Sequence, residues 1–429
     1  MKSSVAALCL FLFISSCRNV DKLIVSSTFA DSLITNYTLS LSANTSNNNL
    51  AFWKQRMDSL PDNFVNGPEY GSALSFRFHI FGDIHDLVKA DSLFHRSTEA
   101  NQEKEPGNFR TLASVAMLRH RFQEADSFLR RAIKIDGHSV PNTFLDFDIT
   151  FELGQYPRAK NILNSLKADN SYGYLFRRSK FEHYTGNLDS SISCMMQAAE
   201  KAGNNNYLRQ VALSNAADLN IHKGDLKEAC KLYQQSISID AADFHSIMGL
   251  GWIALVHDKN DSLAKKIFQF VRGYNKSPDA LLKLELAAET RADTGIQKRF
   301  AIEFESQAND SVYGKMYSKY LIGLYTSILN EPAKAVILAE QEINNRPASQ
   351  VFAWYAWSLF CNNQKDKAYN IYKGYVSGKP LEGLELYYMG KLMKGLDKGY
   401  NAEQFFKAAY KNRYDLSPAQ LKDLQENLE

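Results

Sequence analysis

Small residues recur through this chain at a nearly constant spacing, and this repeat constrains the fold more than any other feature. The steps between successive members are 35, 34, 32, 38, 35, 71, 33 and 34 residues, and the step of 71 spans two units with a member near Ala301. The nine positions are Ala90, Ala125, Ala159, Ser191, Ala229, Ala264, Ala335, Ala368 and Ala402. Two helices cross closely only where the contacting residues are small. The spacing therefore predicts a helical unit of about 34 residues that is repeated along the chain.

Each unit contains two amphipathic helices on either side of a short polar break. Residues 108–136 show the pattern, with Phe109, Leu112 and Ala113 before the break and Ala125, Leu129 and Ala132 after it. This pattern resembles the tetratricopeptide (TPR) repeat, and the resemblance covers residues 67–414. A single hairpin cannot bury its own apolar face, so neighbouring hairpins must stack and share a core. The resemblance thus implies an all-α fold, an α-solenoid of about ten stacked TPR-like helical hairpins.

The first residues have the features of an export signal. An apolar run at 5–14 is too short to span a bilayer, and it leads into Ile14-Ser15-Ser16-Cys17. This resembles the signal of bacterial lipoproteins, in which the cysteine is acylated and becomes the mature N-terminus. Residues 1–16 are then a signal peptide and Cys17 carries the lipid. The alternative is an ordinary secretory signal that is cut near Ser16.

Three further segments lie outside the repeats. Residues 17–48 contain the polar, low-complexity sequence SLSANTSNNN, which predicts a flexible tether after the lipidated cysteine. Residues 49–66 are predicted to form an N-terminal capping helix. Residues 415–429 are predicted to form a C-terminal capping helix, because Ser417 and the proline after it suit an N-cap and the first helical position.

Composition argues against several classes of protein. The 429 residues include 50 basic and 47 acidic ones, and without clustered positive charge a nucleic-acid partner is not expected. Of the five cysteines, Cys9 leaves with the signal and Cys17 is the lipidation site. The remaining Cys194, Cys230 and Cys361 fit neither a disulfide framework nor a zinc site, so we interpret them as small buried thiols.

One short motif suggests metal chemistry. The sequence Gly82-Asp83-Ile84-His85 resembles the first metal-binding block of calcineurin-like phosphoesterases. The further blocks of that family are missing, and the surrounding pattern is helical. We therefore interpret Asp83 as a polar residue in the turn between two helices. No other catalytic motif is found, so we expect no enzymatic activity, no cofactor and no metal.

The TPR resemblance also implies a binding surface, since in that family the first helix of each hairpin builds the inner, concave face. Aromatic side chains with interspersed charges on this face suit a peptide or protein segment. The implied groove residues are Arg110, Phe144, Asp148, Phe151, Glu152, Phe176, Lys180, His183, Tyr184, Asp218, His222, Trp252, Tyr320, Trp357, Phe360, Tyr387, Lys391 and Lys394. The alternative for each of them is packing between helices. His183 and His222 are interpreted as a surface pair rather than a metal site.

Together these features predict a lipid-anchored scaffold of the cell envelope that binds a protein or peptide partner in its concave groove without catalysis. Arg18 follows the lipidated cysteine where inner-membrane retention is associated with Asp, so the outer membrane is favoured, on either its periplasmic or its surface-facing side. The alternative is a glycan-binding lipoprotein of a nutrient-uptake system, because aromatic rings also stack on sugars. Such proteins interrupt their repeats with large insertions, whereas these repeats run almost unbroken.

Overall fold

The computed structural model describes residues 23–38, 40–60, 65–166, 170–396 and 400–429. Helices and their connections account for all of these ranges, and no strand occurs in them. The predicted signal peptide and the lipidation site Cys17 lie outside the described residues. Among the helices that are described, none is long and apolar enough to cross a membrane.

Ten helical hairpins follow one another through the described part of the chain, which confirms the predicted all-α solenoid. Two helices precede them, α1 (Ser27–Thr35) and α2 (Leu41–Ser59). The hairpins, each an A helix followed by a B helix, are α3 (Asn66–Phe81) with α4 (Ile84–Ala100), α5 (Pro106–Leu118) with α6 (Phe122–Asp136), α7 (Val140–Glu152) with α8 (Tyr156–Ser165), α9 (Tyr172–Tyr184) with α10 (Leu188–Lys201), α11 (Asn206–Lys223) with α12 (Leu226–Ile239), α13 (Phe244–Val256) with α14 (Asp261–Tyr274), α15 (Asp279–Glu289) with α16 (Thr294–Ala308), α17 (Ser318–Tyr325) with α18 (Pro332–Asn345), α19 (Ser349–Cys361) with α20 (Lys365–Ile371), and α21 (Gly383–Gly395) with α22 (Glu403–Lys411). A last helix, α23 (Pro418–Glu426), follows.

The recurring small residue sets the distance between the two helices of a hairpin. In most B helices it is the fourth helical residue and is fully buried, as at Ala125, Ala159, Ser191, Ala229, Ala264, Ala335 and Ala368. In the fourth hairpin the hydroxyl groups of Ser179 and Ser191 lie 3.0 Å apart across the crossing. The A and B helices can approach this closely because only a methyl or hydroxymethyl group separates them.

The repeat pattern changes at both ends of the solenoid. The prediction for Ala402 is wrong, because this residue is the N-cap of α22 and the fourth helical residue is Phe406. The small partner has moved to the A helix, where a Cβ on Gly390 would lie 2.5 Å from the Phe406 ring. In the first hairpin Ala90 is buried as predicted, but it is the seventh residue of α4, and Leu87 occupies the fourth position.

The predicted flexible tether is wrong for residues 41–48, which form the first half of α2. The Ser40 hydroxyl accepts a hydrogen bond from the Ala43 N–H at 3.2 Å and caps this helix. One face of α2 packs on the core through Ala43, Ser46, Leu50, Trp53 and Met57, which are three or four residues apart. This helical spacing overrides the weak helix propensity of the Asn and Ser residues, because packing outweighs propensity in a folded domain.

The segment before α2 also belongs to the folded body. The backbone N–H groups of Ile24 and Val25 donate to the Asp258 carboxylate at 3.0 and 2.9 Å. The Lys266 ammonium lies 2.7 Å from the Asp31 carboxylate, so α1 is held on α14 of the sixth hairpin. Residues 24–35 of the predicted tether are therefore docked on the folded body rather than free.

The C-terminal cap is formed by α23. The Ser417 hydroxyl accepts from the Gln420 N–H at 3.2 Å, and the Gln420 side chain accepts from the Ser417 N–H at 3.0 Å. This reciprocal pair is a capping box, and Pro418 occupies the first helical position as the sequence predicts.

The solenoid closes on itself, because successive turns of its superhelix touch. Four contacts join residues that are 193 or 194 positions apart: Asp83 with Lys276, Arg119 with the Val312 carbonyl, Glu152 with Arg346, and His222 with Asp415. In each contact, the region where the A and B helices of one hairpin join meets a loop from the next superhelical turn. This loop follows the hairpin that comes five hairpins later in the chain, so the first hairpin meets the loop after the sixth. The interior of the solenoid is therefore lined from both turns.

Candidate binding site

The A helices form the inner layer of the solenoid. A helices of neighbouring hairpins pack directly on each other, as α5 does on α7 and α13 does on α15. The residues predicted to line the groove are on these helices. Many of their polar groups already have partners, which the following contacts show.

In the third and fourth hairpins the predicted residues form an ion-pair network. Glu152 lies 2.7 Å from the Lys180 ammonium and 3.0 Å from the guanidinium of Arg346, which comes from the next superhelical turn. Burial alone would raise the pKa of Glu152, but the two cations outweigh it and lower the pKa to about 2. Glu152 is thus ionised at neutral pH, and its charge is fully compensated.

The neighbouring predicted residues are paired in the same way. Asp148 forms an ion pair with Arg177, whose guanidinium covers the Phe144 ring at 4.3 Å. The Lys180 ammonium lies 4.6 Å from the centre of the Phe151 ring. Two further predicted residues of this region also have partners within the protein. Arg110 forms an ion pair with Asp136 at 2.7 Å, and Phe176 stacks on Tyr172 with ring centres 5.8 Å apart.

His183 and His222 contact each other, with ring centres 4.7 Å apart. His222 Nδ1 is 2.6 Å from the Asp415 carboxylate. Burial lowers the pKa of His222, but the bond to Asp415 outweighs it and raises the pKa to about 9. Burial and the charge of His222 lower the pKa of His183. No group of three or more His, Cys, Asp or Glu side chains suited to a metal ion occurs among the described residues.

Asp218 lies at the edge of a cleft of about 460 Å³ between the first hairpin and the fifth and sixth. Its carboxylate accepts from the Tyr233 hydroxyl at 2.5 Å and lies 2.8 Å from His245 Nε2. Asp240 and Asp243, on the same cleft, cap helix ends or accept from serine hydroxyls. The carboxylates of this cleft are thus occupied by structural contacts.

Trp252 is buried, which differs from an open groove position. Its indole N–H donates to the Tyr414 carbonyl at 3.1 Å, and the Lys283 ammonium lies 3.9 Å from its ring centre. Burial lowers the pKa of Lys283 to about 8. Tyr320, by contrast, keeps 46% of its surface exposed.

The last predicted residues contact neighbouring helices. Trp357 stacks on Tyr388 with ring centres 4.6 Å apart, and its indole N–H donates to the Thr326 hydroxyl at 3.1 Å. Trp357 also stacks on Phe360. The C-terminal segment contacts three further predicted residues. Tyr387 and Lys391 each donate a hydrogen bond of 2.8 Å to the Asp423 carboxylate, and Lys394 donates one of 2.6 Å to the Asn427 side chain. These side chains join hairpins to one another, so little of the predicted groove is left for a ligand here.

A different cleft remains open where the third and fourth hairpins meet the ninth in the next superhelical turn. Its volume is about 480 Å³, and we call it the aromatic cleft. Its lining residues are Gly154, Tyr156, Pro157, Lys160, Phe181, Tyr184, Pro347, Ser349, Phe352, Gly374, Tyr375 and Lys379. Only Tyr184 among them belongs to the predicted groove.

Two stacked ring pairs give the aromatic cleft its walls. Tyr156 and Tyr184 stack with ring centres 3.8 Å apart, and Phe352 and Tyr375 stack at 4.2 Å with an angle of 9° between the rings. The second pair depends on a π-helical turn, Tyr372–Val376, which ends the B helix of the ninth hairpin. Tyr375 is 53% exposed on this turn, and such π-helical turns are frequent at functional sites.

The position of the cleft follows from one glycine. Gly154 has φ +72°, and a Cβ there would lie 2.8 Å from Ala348 Cα and 3.0 Å from the Pro347 carbonyl oxygen. The absence of a side chain lets the two turns approach, which brings both ring pairs to the same cleft. The sequence gives no local signal for this site, because its lining residues from the two turns are at least 163 positions apart, as Tyr184 and Pro347 are.

The sequence matches no protein-family model, and no curated protein matches it. Solved structures with a similar fold include the human IFIT1 dimer with PPP-AAAA, at 12% identity and TM-score 0.47, covering 76% of this chain and 76% of that chain. A tetratricopeptide repeat protein from Parabacteroides merdae is similar at 15% identity and TM-score 0.35, covering 59% and 97%. Yeast Tom70 is similar at 11% identity and TM-score 0.35, covering 83% and 95%. These similarities do not bear on function.

Proposed function

We propose that this protein is a lipid-anchored, non-catalytic scaffold of the cell envelope that binds a polypeptide partner in the aromatic cleft. The observation that carries the proposal is the cleft itself, which has a volume of about 480 Å³ and two stacked ring pairs as its walls. Much of the inner wall is less suitable, because most of its charges are paired within the protein. A binding site formed by aromatic rings with a few polar groups is typical of peptide recognition.

The polar content of the cleft favours a polypeptide over a glycan. A sugar presents hydroxyl groups on all sides, and each one that is buried without a partner costs free energy. The lining contains no Asp, Glu, Asn, Gln or Arg side chain, which leaves tyrosine hydroxyls, Ser349 and two lysines as hydrogen-bonding groups. The glycan-binding alternative is supported by one observation, the exposed ring of Tyr375.

The anchor part of the proposal rests on Cys17 and on the docked segment that begins at Ile24. Six residues separate them, and a fully extended chain of six residues spans about 20 Å. A lipid on Cys17 would thus hold the folded body close to the membrane surface. Cys17→Ala is expected to move the protein from the membrane fraction to the soluble fraction. If the variant stays in the membrane fraction and the mature wild-type protein carries no lipid, the anchor proposal is wrong.

Binding is tested with the purified protein on a peptide library and on a glycan array. We expect the wild-type protein to enrich peptides and to leave glycans unbound. Tyr375→Ala should abolish the enrichment with only a small fall in melting temperature, since the ring is half exposed and loses a single stacking contact, that with Phe352. Tyr410→Ala is the matched control, because Tyr410 is 38% exposed on α22 outside the cleft. Glycan binding that Tyr375→Ala abolishes would instead favour the glycan-binding alternative.

A further inference from the structure

The aromatic cleft lies in a region of positive charge. Lys160 and Lys379 are exposed on its lining, and neither has an ion-pair partner in the described part of the chain. No carboxylate lines the cleft. Next to it, Glu152 pairs with Lys180 and Arg346, and Arg346 also lies 3.5 Å from the Glu342 carboxylate, so these neighbouring charges balance and leave the two lysines as the surplus. The whole chain has a net charge of only +3, so this is a local concentration.

The walls of the cleft suit a ligand with flat apolar rings. Tyr156 and Tyr184 come from one superhelical turn, and Phe352 and Tyr375 come from the next. The cleft has no sheet edge to which a peptide could add a strand, because no strand occurs in the described ranges. The remaining way to bind an extended segment is through its side chains, and proline rings of an extended polyproline II segment dock in aromatic-lined grooves.

We propose that the aromatic cleft recognises an acidic, proline-containing segment of a partner protein. The proline rings lie against the two ring pairs, and Asp or Glu side chains of the segment pair with Lys160 and Lys379. The inference rests on the proposed function, which it extends from a polypeptide of any kind to one chemical class. Charge complementarity selects the acidic residues, and the preformed extended conformation of proline lowers the entropic cost of binding.

The test uses fluorescence anisotropy with three labelled synthetic peptides of equal length. They repeat Asp-Pro-Pro, Lys-Pro-Pro and Asp-Ala-Ala. We expect the first to bind at least tenfold more tightly than the other two, an amount that corresponds to about 1.4 kcal/mol. The double variant Lys160→Ser/Lys379→Ser should weaken the first peptide by about tenfold, since two partly exposed ion pairs are lost. A rising salt concentration should reduce the difference in affinity between the Asp-Pro-Pro peptide and the Lys-Pro-Pro peptide.

The control is the double variant Lys227→Ser/Lys298→Ser, which removes the same charge from two exposed lysines on α12 and α16. It should leave affinity unchanged. Equal binding of the three peptides, or equal effects of the two double variants, would overturn the inference. If these peptides fail while the library yields others that depend on Tyr375, the inference is wrong and the proposed function stands. If oligogalacturonate binds instead of every peptide and depends on Tyr375, both are wrong.

Discussion

Replacing Gly154 with alanine tests whether the contact between superhelical turns stabilises the fold. Gly154 has φ +72°, and an alanine in this left-handed conformation costs roughly 1–2 kcal/mol. Its Cβ would also lie 2.8 Å from Ala348 Cα and 3.0 Å from the Pro347 oxygen. Carbon atoms in contact prefer about 3.5–4.0 Å, so the turns must separate. Since both neighbouring atoms are backbone atoms, we expect a further loss of about 1–3 kcal/mol.

Gly186 supplies the matched control. It occupies the same place one hairpin later, with φ +82°, but nothing lies within 4 Å of a Cβ there. Gly186→Ala therefore carries the backbone cost alone. Urea denaturation of both variants should show Gly154→Ala to be less stable by the additional 1–3 kcal/mol, roughly the cost of overpacking. Equal losses in the two variants would refute a stabilising contact between turns.

Three further changes test the packing and the charges. Ala368→Leu overpacks a helix crossing and should cost about 1–3 kcal/mol, while Lys365→Ala should stay within about 0.5 kcal/mol by thermal denaturation. Because the pKa of Glu152 falls to about 2 in the folded protein, its ion pairs stabilise the fold above about pH 4.3 and are lost as the pH falls toward 2. Glu152→Gln should flatten this acid dependence in urea titrations between pH 2 and about pH 5. The pKa of His222 is about 9 when folded, so its pairing with Asp415 is fully present below about pH 6.5 and lost as the pH rises through 9. His222→Gln should remove that alkaline loss in melting curves, and an unchanged slope would contradict the pairing.

Local spacing was enough to predict the fold. Ala125 and Ala368 are buried at helix crossings. They could be predicted because the crossing of the A and B helices depends only on residues within one hairpin. The prediction failed at Ala402, where the small residue moved to Gly390 on the partner helix. It also failed in the first half of α2, because polar composition concealed the buried face that begins at Ala43.

The candidate site was much less accessible to sequence analysis. The TPR resemblance directed the prediction to the A helices, and of the residues that it implied Tyr184 alone lines the aromatic cleft. The resemblance does not predict which residues of the next superhelical turn face these helices. That contact depends on small rotations between neighbouring hairpins, which accumulate over five hairpins. Phe352 and Tyr375 therefore carried no signal that connects them with Tyr156.

The contact between superhelical turns also restricts the gain and loss of internal repeats. In an open solenoid each repeat touches only its neighbours, so a repeat can be gained or lost at local cost. Here all four contacts of 193 or 194 residues span the sixth hairpin. Deletion of that hairpin would pair every A–B junction with the wrong connection, so that Gly154 would no longer meet Ala348. Gain or loss of an internal hairpin is therefore a change of the whole interface, and the spacing of five hairpins between contacting elements is part of the tertiary structure.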